Sequence, residues 1–305
     1  MSDLRIFKID DTGIEELPTR LAAVEKDLQT LLERNMEACL GVKFLASEYH
    51  TGRSLGGFID SLGLDENFCP VIVEYKKRNN ENIITQALFY LDWLLDHQAE
   101  FVSLVREKLG SEIAMSVDFL GARILCVASD FTRFDEKAIY QIGRDIELIR
   151  YRFYGADLFC LERLKSPVSS FVPAISQSAD DPRIGDVGMP PAMRSRIKNM
   201  SSETELIYLE LISFAETLGE DVTIRFLKHY IAFARKKHFT CAQPLKNTIK
   251  LWINLDPAEY APEEGFSRDV SNLGHHATGD LEIDIHSRED LERAKPVIEA
   301  AYQKN

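Results

Sequence analysis

The sequence is poor in the features that define several large protein classes. No apolar run approaches the roughly 20 residues needed to cross a bilayer. The opening MSDLRIFKIDD has acids and an early lysine in place of a basic segment leading into an apolar core. Neither a membrane span nor a secretory leader is expected, and the expected compartment is the cytoplasm. Cysteine is sparse: Cys39, Cys69, Cys126, Cys160 and Cys241 stand singly, with no Cys-x-x-Cys pair. That spacing argues against a disulfide framework and against a structural zinc site. Positive charge is also short, with 36 Lys and Arg against 49 Asp and Glu and a formal net charge of -13. Over the whole chain this counts against a duplex nucleic-acid partner, whose binding rests on phosphate neutralisation. The shortfall is uneven, because residues 251–305 hold 12 acids against 5 bases, about half of the excess. The acidic balance therefore leaves room for weak, salt-sensitive, metal-dependent binding in a local groove.

What is present is a folded chain of 305 residues, 45% hydrophobic and 28% charged, long enough for two domains. Five of its 11 prolines, Pro167, Pro173, Pro182, Pro190 and Pro191, fall between Ser166 and Ser202 in a stretch without helical or strand periodicity. This divides the chain into a domain at 1–165, a Pro/Ser-rich linker at 166–200 and a second domain at 201–305. The basic end of the linker, Arg194, Arg196 and Lys198, reads as solvated charge.

In the first domain LRIFKI alternates like a short strand, and Pro18 stands at a helix start. Leu21, Val24, Leu28, Leu31, Leu32 and Met36 then recur at helical spacing up to Gly41. Strand patterns follow at FLASEY, GGFIDSLGL and CPVIVEYK, the last two joined by a turn at Asp65-Glu66-Asn67. Helices are expected over about 80–96 and 98–109, then the strand ARILCVAS, a short helix near Glu136–Ile142, and the strands IELIRYRF and DLFCLERL. The alternation predicts an α/β domain.

Charge breaks the hairpin pattern at three positions. Glu74 and Lys76 interrupt PVIVEYK two residues apart, on the same strand face as Ile72. Asp60 interrupts Phe58, Ile59 and Leu62 on the preceding strand, where antiparallel pairing brings it beside Glu74. Two adjacent carboxylates repel unless a cation sits between them, and a hard divalent ion such as Mg²⁺ chooses oxygen ligands of this kind. Lys76 alongside supplies positive charge for a phosphoryl transition state or orients the attacking water, so the implied chemistry is metal-assisted phosphodiester hydrolysis. Gln86 and Tyr90, four apart on the next helix, can face the same site, and Glu33 or Glu37 of the first helix can approach it. The bland readings are an edge-strand ion pair, a core tyrosine and solvated helix acids. Tyr49, His50, Lys77, Arg78 and Trp93 flank the region and could contact a strand backbone or stack on unpaired bases. Simpler readings make His50 a loop residue and Trp93 a core residue.

In this order, a helix acid, Asp60, Glu74-Tyr75-Lys76 and Gln86-x-x-x-Tyr90 resemble the PD-(D/E)XK nuclease superfamily, in particular its RecB-like branch. Residues 20–155 are also similar to the C-terminal catalytic domain of the mismatch-specific endonucleases. The resemblance implies a restriction-endonuclease-like α/β domain with a central mixed sheet flanked by helices. It makes Asp60, Glu74 and the backbone carbonyl of Tyr75 ligands of Mg²⁺ or Mn²⁺, and Lys76 the catalytic lysine. Glu33 becomes the helix acid, and Gln86 with Tyr90 support substrate or lysine. The sequence departs from the pattern at Ile59, where the motif name has proline, and at Phe58, where related domains often carry arginine.

The second domain reads as a smaller α+β unit. A helix is expected over 201–219, then strands in DVTIRF, HYIAFARKKHFTCAQ and NTIKLWINLDP, and a final helix opened by the capping box of SRED. Arg235, Lys236, Lys237 and His238 form a basic hairpin tip. Arg268, Asp269, His275, His276 and Asp280 read as a turn network. This half resembles an uncharacterised domain found joined to nuclease-like domains, in proteins often described as transport proteins. The expected function is a divalent-metal-dependent nuclease acting on nucleic acid, in the first place DNA, with an accessory second domain and no membrane partner. A homodimer is left open. The alternatives are a catalytically silent nucleic-acid or protein binding module on the same fold, and a transport-associated protein.

Overall fold

The computed structural model describes residues 4–11, 13–22, 24–52, 56–77, 83–164, 189–274 and 277–305. The chain divides into two compact units, Met1–Ser166 and Pro167–Asn305. Among the described residues no helix is long and apolar enough to cross a membrane.

The first unit opens with an exposed hairpin, β1 (Phe7–Asp10) and β2 (Gly13–Glu16), followed by the short β3 (Thr19–Arg20). Helices α1 (Glu25–Arg34) and α2 (Met36–Leu40) precede the meander β4 (Lys43–His50), β5 (Phe58–Leu64) and β6 (Pro70–Lys76). Helices α3 (Ile83–Asp96), α4 (Gln98–Leu109) and α5 (Ser111–Met115) lead to β7 (Arg123–Ala128). Helix α6 (Arg133–Ala138), β8 (Ile146–Tyr154) and β9 (Leu158–Arg163) complete the unit.

These strands form a mixed sheet in the order β3-β8-β7-β6-β5-β4, with β9 on β8. Pairing is antiparallel from β4 to β6, parallel through β6, β7 and β8, and antiparallel again to β9. The parallel centre explains why PVIV and ILCVA read as unbroken apolar runs: both faces of the sheet are covered. On one face Leu28, Leu32 and Met36 of α1 and α2 pack on Val71, Val73, Leu125 and Val127. On the other, Ile83, Ala87, Leu91 and Leu94 of α3 pack on Leu62, Ile72, Ile124 and Cys126. At one end of the sheet buried Arg123 bridges Asp65 at 3.3 Å and Glu147 at 2.7 Å.

The second unit holds α7 (Pro191–Lys198), α8 (Ser202–Thr217) and α9 (Arg288–Lys304) against a sheet of six strands. Its strands are β10 (Thr223–Phe226), β11 (Ile231–Ala234), β12 (His238–Pro244), β13 (Ile249–Ile253), β14 (Ser267–Asp269) and β15 (Leu281–Ile285). They run antiparallel in the order β10-β11-β12-β13-β15-β14. Ile249, Leu251 and Ile253 point to the helices, while Lys250 between them turns outward to Glu282 and Asp284 at 2.9 and 2.7 Å. Ser201 caps α8 and the Ser287/Asp290 capping box opens α9.

Several local expectations are corrected. Pro18 does not start a helix; Thr19 and Arg20 join β8 as an edge strand, Arg20 lies over the Phe153 ring, and the helix begins at Glu25. Asn35 then ends α1, and five further residues make α2. Residues 191–198, read as the end of the linker, form α7, with Pro191 in its first turn and Met193 and Ile197 buried in the second core. Residues 165–188 lie outside the described residues. Arg268 belongs to no turn network: it sits on β14 opposite Glu282 and pairs with it at 2.6 Å. In the basic hairpin tip His238 is fully buried, and Arg235 pairs with Asp221 and lies over the Tyr302 ring. His275 and His276 lie outside the described residues.

Candidate active site

The site forms where β5 and β6 part. The strands pair from Leu64↔Pro70 to Ser61↔Val73, which leaves Asp60 and Glu74 next in register. There side chains replace the ladder: the Asp60 N–H donates to Glu74 Oε1 at 3.2 Å, and the Tyr75 N–H donates to Asp60 Oδ2 at 2.9 Å. Each carboxylate takes a backbone donor of the other strand, so both are fixed at the splay.

On the far side of Asp60, β4 is irregular. Glu48, between the pairs Ser47↔Ser61 and Tyr49↔Ile59, adopts a φ of 46°. This left-handed residue breaks the strand's alternation. Ser47 faces α1, where Gln29 Nε2 donates to its Oγ at 3.2 Å, while Tyr49 turns to the opposite face with its ring 5.9 Å from that of Trp93.

The electrostatics follow from burial. Glu74 is fully buried, and burial, reinforced by the Asp60 charge, pushes its carboxyl up to about 9. Asp60 is also raised, by burial above all, although the Tyr75 N–H and the Lys76 charge oppose the shift. Glu74 Oε2 is buried and, as a carboxylate oxygen, receives no donor. Two carboxyls in this position settle by sharing one proton or by taking a cation between them. Cys126, opposite Glu74 on the parallel β7, is a neutral thiol, pushed up by burial and by the Glu74 charge. Lys76 stands two residues beyond Glu74, largely buried, with its Nζ 3.5 Å from Glu25 Oε2 at the start of α1.

Glu33 reaches the pair indirectly. Its Oε1 accepts from Ser61 Oγ at 2.6 Å and from Gln29 Nε2 at 2.9 Å, and Gln29 also donates to the Asp60 carbonyl at 2.8 Å. The Tyr75 hydroxyl donates to Ser61 Oγ at 3.2 Å, so α1, β5 and β6 share one hydrogen-bonded cluster. Gln86 Nε2 donates to the Tyr90 hydroxyl at 3.3 Å. Tyr90 in turn lies so close to Gly57 that a Cβ there would meet its ring at 2.8 Å, which requires glycine just before β5. Asp60, Glu74, Tyr75 and Lys76 are thus brought together. Glu33 joins them through Gln29 and Ser61, while Gln86 and Tyr90 brace the entry to β5. Among the flanking residues, Trp93 is core and Arg78 lies outside the described residues.

Gln29, Ser61, Glu25 and Cys126 also belong to the site and do not stand out in the sequence pattern as chemistry-bearing positions. A signal existed for Gln29: it precedes Glu33 by four, beside the apolar stripe of Leu28 and Leu32, where a polar side chain needs partners when buried. Glu25 had none, because its tie to Lys76 spans 51 positions.

No group of three or more His, Cys, Asp and Glu side chains arranged for a metal occurs among the described residues. Two carboxylates completed by backbone carbonyl and water suit Mg²⁺ or Mn²⁺, which keep several waters, better than zinc.

Residues 193–305 match the model of a domain of unknown function, DUF5655. An uncharacterized protein of Haemophilus influenzae (strain ATCC 51907 / DSM 11121 / KW20 / Rd) is 27% identical over 306 residues, covering 98% of this chain and all of that one. Two solved structures align with 43% of the chain: an EndoMS complex with dsDNA, 23% identical with a TM-score of 0.27, and a repair endonuclease from Pyrococcus abyssi, 20% identical with a TM-score of 0.29. The alignments span 46% and 48% of those two chains, about half of each.

Proposed function

We propose that the first unit is a divalent-metal-dependent nuclease of the PD-(D/E)XK type that hydrolyses phosphodiester bonds in DNA, with the second unit as an accessory module. The observation that carries this reading is the Asp60–Glu74 pair, two carboxylates locked side by side with Glu74 Oε2 buried and lacking a donor. An arrangement that costs this much desolvation calls for a cation. The order of Glu33, Asp60, Glu74-Tyr75-Lys76 and Gln86-x-x-x-Tyr90 supports the same reading.

Asp60, Glu74 and the Tyr75 carbonyl would hold Mg²⁺ or Mn²⁺. Such an ion, when bound, supplies Lewis-acid charge at a phosphate oxygen and lowers the pKa of its water. The rest is done by the chain itself. The Tyr75 N–H orients Asp60, and the end of the β5–β6 ladder orients Glu74. Lys76, held by Glu25, offers its ammonium to the charge that builds on the phosphate oxygens in the transition state. Gln29 and Glu33 fix the backbone at Asp60 and Ser61, and Tyr90 on Gly57 fixes where β5 begins.

Full-length protein with Mg²⁺ or Mn²⁺ is expected to cleave at least one of single-stranded, duplex, mismatched or branched DNA. EDTA, Glu74→Ala and Lys76→Ala should each abolish cleavage. Equal cleavage by both variants, or no cleavage of any of these DNAs by protein with Mn²⁺ bound, overturns the proposal.

A further inference from the structure

Phe58, the first residue of β5, exposes 53% of its surface only two residues from Asp60. Between them Ile59 is fully buried in the core beneath α3. His50 stands directly across from Phe58 in the β4–β5 register and is also exposed, its ring edge-on at a centroid distance of 4.9 Å. The pair is held rigidly. Thr51 N–H and Thr51 Oγ1 both donate to the Gly57 carbonyl, at 3.0 and 2.9 Å, and the Gly57 N–H returns to Thr51 Oγ1 at 3.1 Å. The Gly52 N–H donates to His50 Nδ1 at 3.0 Å, which orients the imidazole.

A large apolar ring held open to solvent beside a buried carboxylate pair has no role in either core. Two residues along β5 from Asp60, about 6.6 Å at the rise of a strand, it lies within one nucleotide's reach of a phosphate held there. Among the described residues Lys76 is paired with Glu25 and Lys26 with Glu48. Stacking on an exposed ring adds affinity that does not depend on phosphate neutralisation. We propose that Phe58 and His50 form a stacking platform for an unpaired nucleobase next to the scissile phosphate, which makes single-stranded or locally unpaired DNA the preferred ligand. A base inside an intact duplex offers no free face to such a platform. This inference rests on the nuclease reading for the position of the phosphate, but it concerns binding and can be tested without turnover.

The test is fluorescence anisotropy of full-length protein in EDTA, with one DNA sequence presented as a single strand and as a perfect duplex, and with 2-aminopurine in the single strand to report stacking. Wild type is expected to prefer the single strand and to quench 2-aminopurine. Phe58→Ala should weaken single-strand binding about tenfold, leave duplex binding unchanged and lose the quenching, whereas Phe58→Trp should retain both. Equal single-strand affinity for wild type and Phe58→Ala overturns the platform, as does an equal loss on both DNA forms. If Phe58→Ala loses the single-strand preference while wild type cleaves nothing, the platform stands and the nuclease reading falls. If wild type cleaves and Phe58→Ala binds like wild type, the reverse holds.

Discussion

Replacing Glu74 by glutamine should make the metal-free protein more stable at neutral and alkaline pH, not less. The native state raises the Glu74 carboxyl from 4.5 to about 9. Between those values the folded chain keeps a proton that the unfolded chain has released, so stability is full below about pH 4.5 and falls as pH rises towards 9. At pH 7 the gap from 4.5 is 2.5 units, a penalty of about 3 kcal/mol at about 1.4 kcal/mol per unit. Asp60 is shifted in the same direction, and the pair titrates as a unit. Glutamine removes the titration, still accepts from the Asp60 N–H, and offers Asp60 a donor from its amide. At about 2–4 °C per kcal/mol for a unit of this size, Glu74→Gln is expected to raise the melting temperature by about 6–12 °C at pH 7 and by little at pH 5. The chain has two tryptophans, Trp93 in the first unit and Trp252 in the second, so Trp252→Phe leaves a fluorescence reporter of the unit that carries the site. Melting in EDTA at pH 5, 7 and 8.5 measures the slope. A variant destabilised by the same margin at all three values would refute the argument, because Glu74 would then act by packing alone.

Other expectations follow from single contacts. Lys76→Met should eliminate cleavage while leaving Mn²⁺ affinity within a few fold, since Lys76 is assigned to the phosphate and not to the ion; single-turnover assays beside metal titrations separate the two. Gly57→Ala should cost about 1–3 kcal/mol in urea unfolding because the new methyl collides with Tyr90, and most of that loss should vanish in a Tyr90→Ala background. Arg123→Met leaves buried Asp65 without its cation and Glu147 with Arg163 alone, at 3.3 Å, and should cost about 3–5 kcal/mol, read by the same denaturation.

The hairpin that carries the site was legible because it is local. Turn residues at Asp65–Asn67 fix the register, and the register alone sets Asp60 against Glu74. The central strands were legible as apolar runs, and α8 and α9 through their serine caps. What escaped the sequence depended on distant partners. The edge strand at Thr19 exists because β8 is there to pair with it, and no local signal competes with a proline that suits a helix start. Helix α7 is too short for its period to show, and its two buried residues, Met193 and Ile197, acquire meaning only against the second core. Glu33 could be placed on the correct helix, but its attachment through Ser61 and Gln29 is a property of three elements meeting. Phe58 read as a missing arginine; only the structure shows it open to solvent with His50 across from it.

The central claim is that Asp60 and Glu74 are paired to hold a divalent cation. Titrating full-length protein with Mn²⁺ at pH 7.5, with free ion followed by electron paramagnetic resonance and proton release by a pH indicator, tests it most directly. The account predicts saturable Mn²⁺ binding with release of about one proton per ion, as the cation displaces the proton that the pair retains, and loss of both signals in Asp60→Asn and Glu74→Gln. Unchanged Mn²⁺ binding in those variants, or no binding by the wild type, would contradict it.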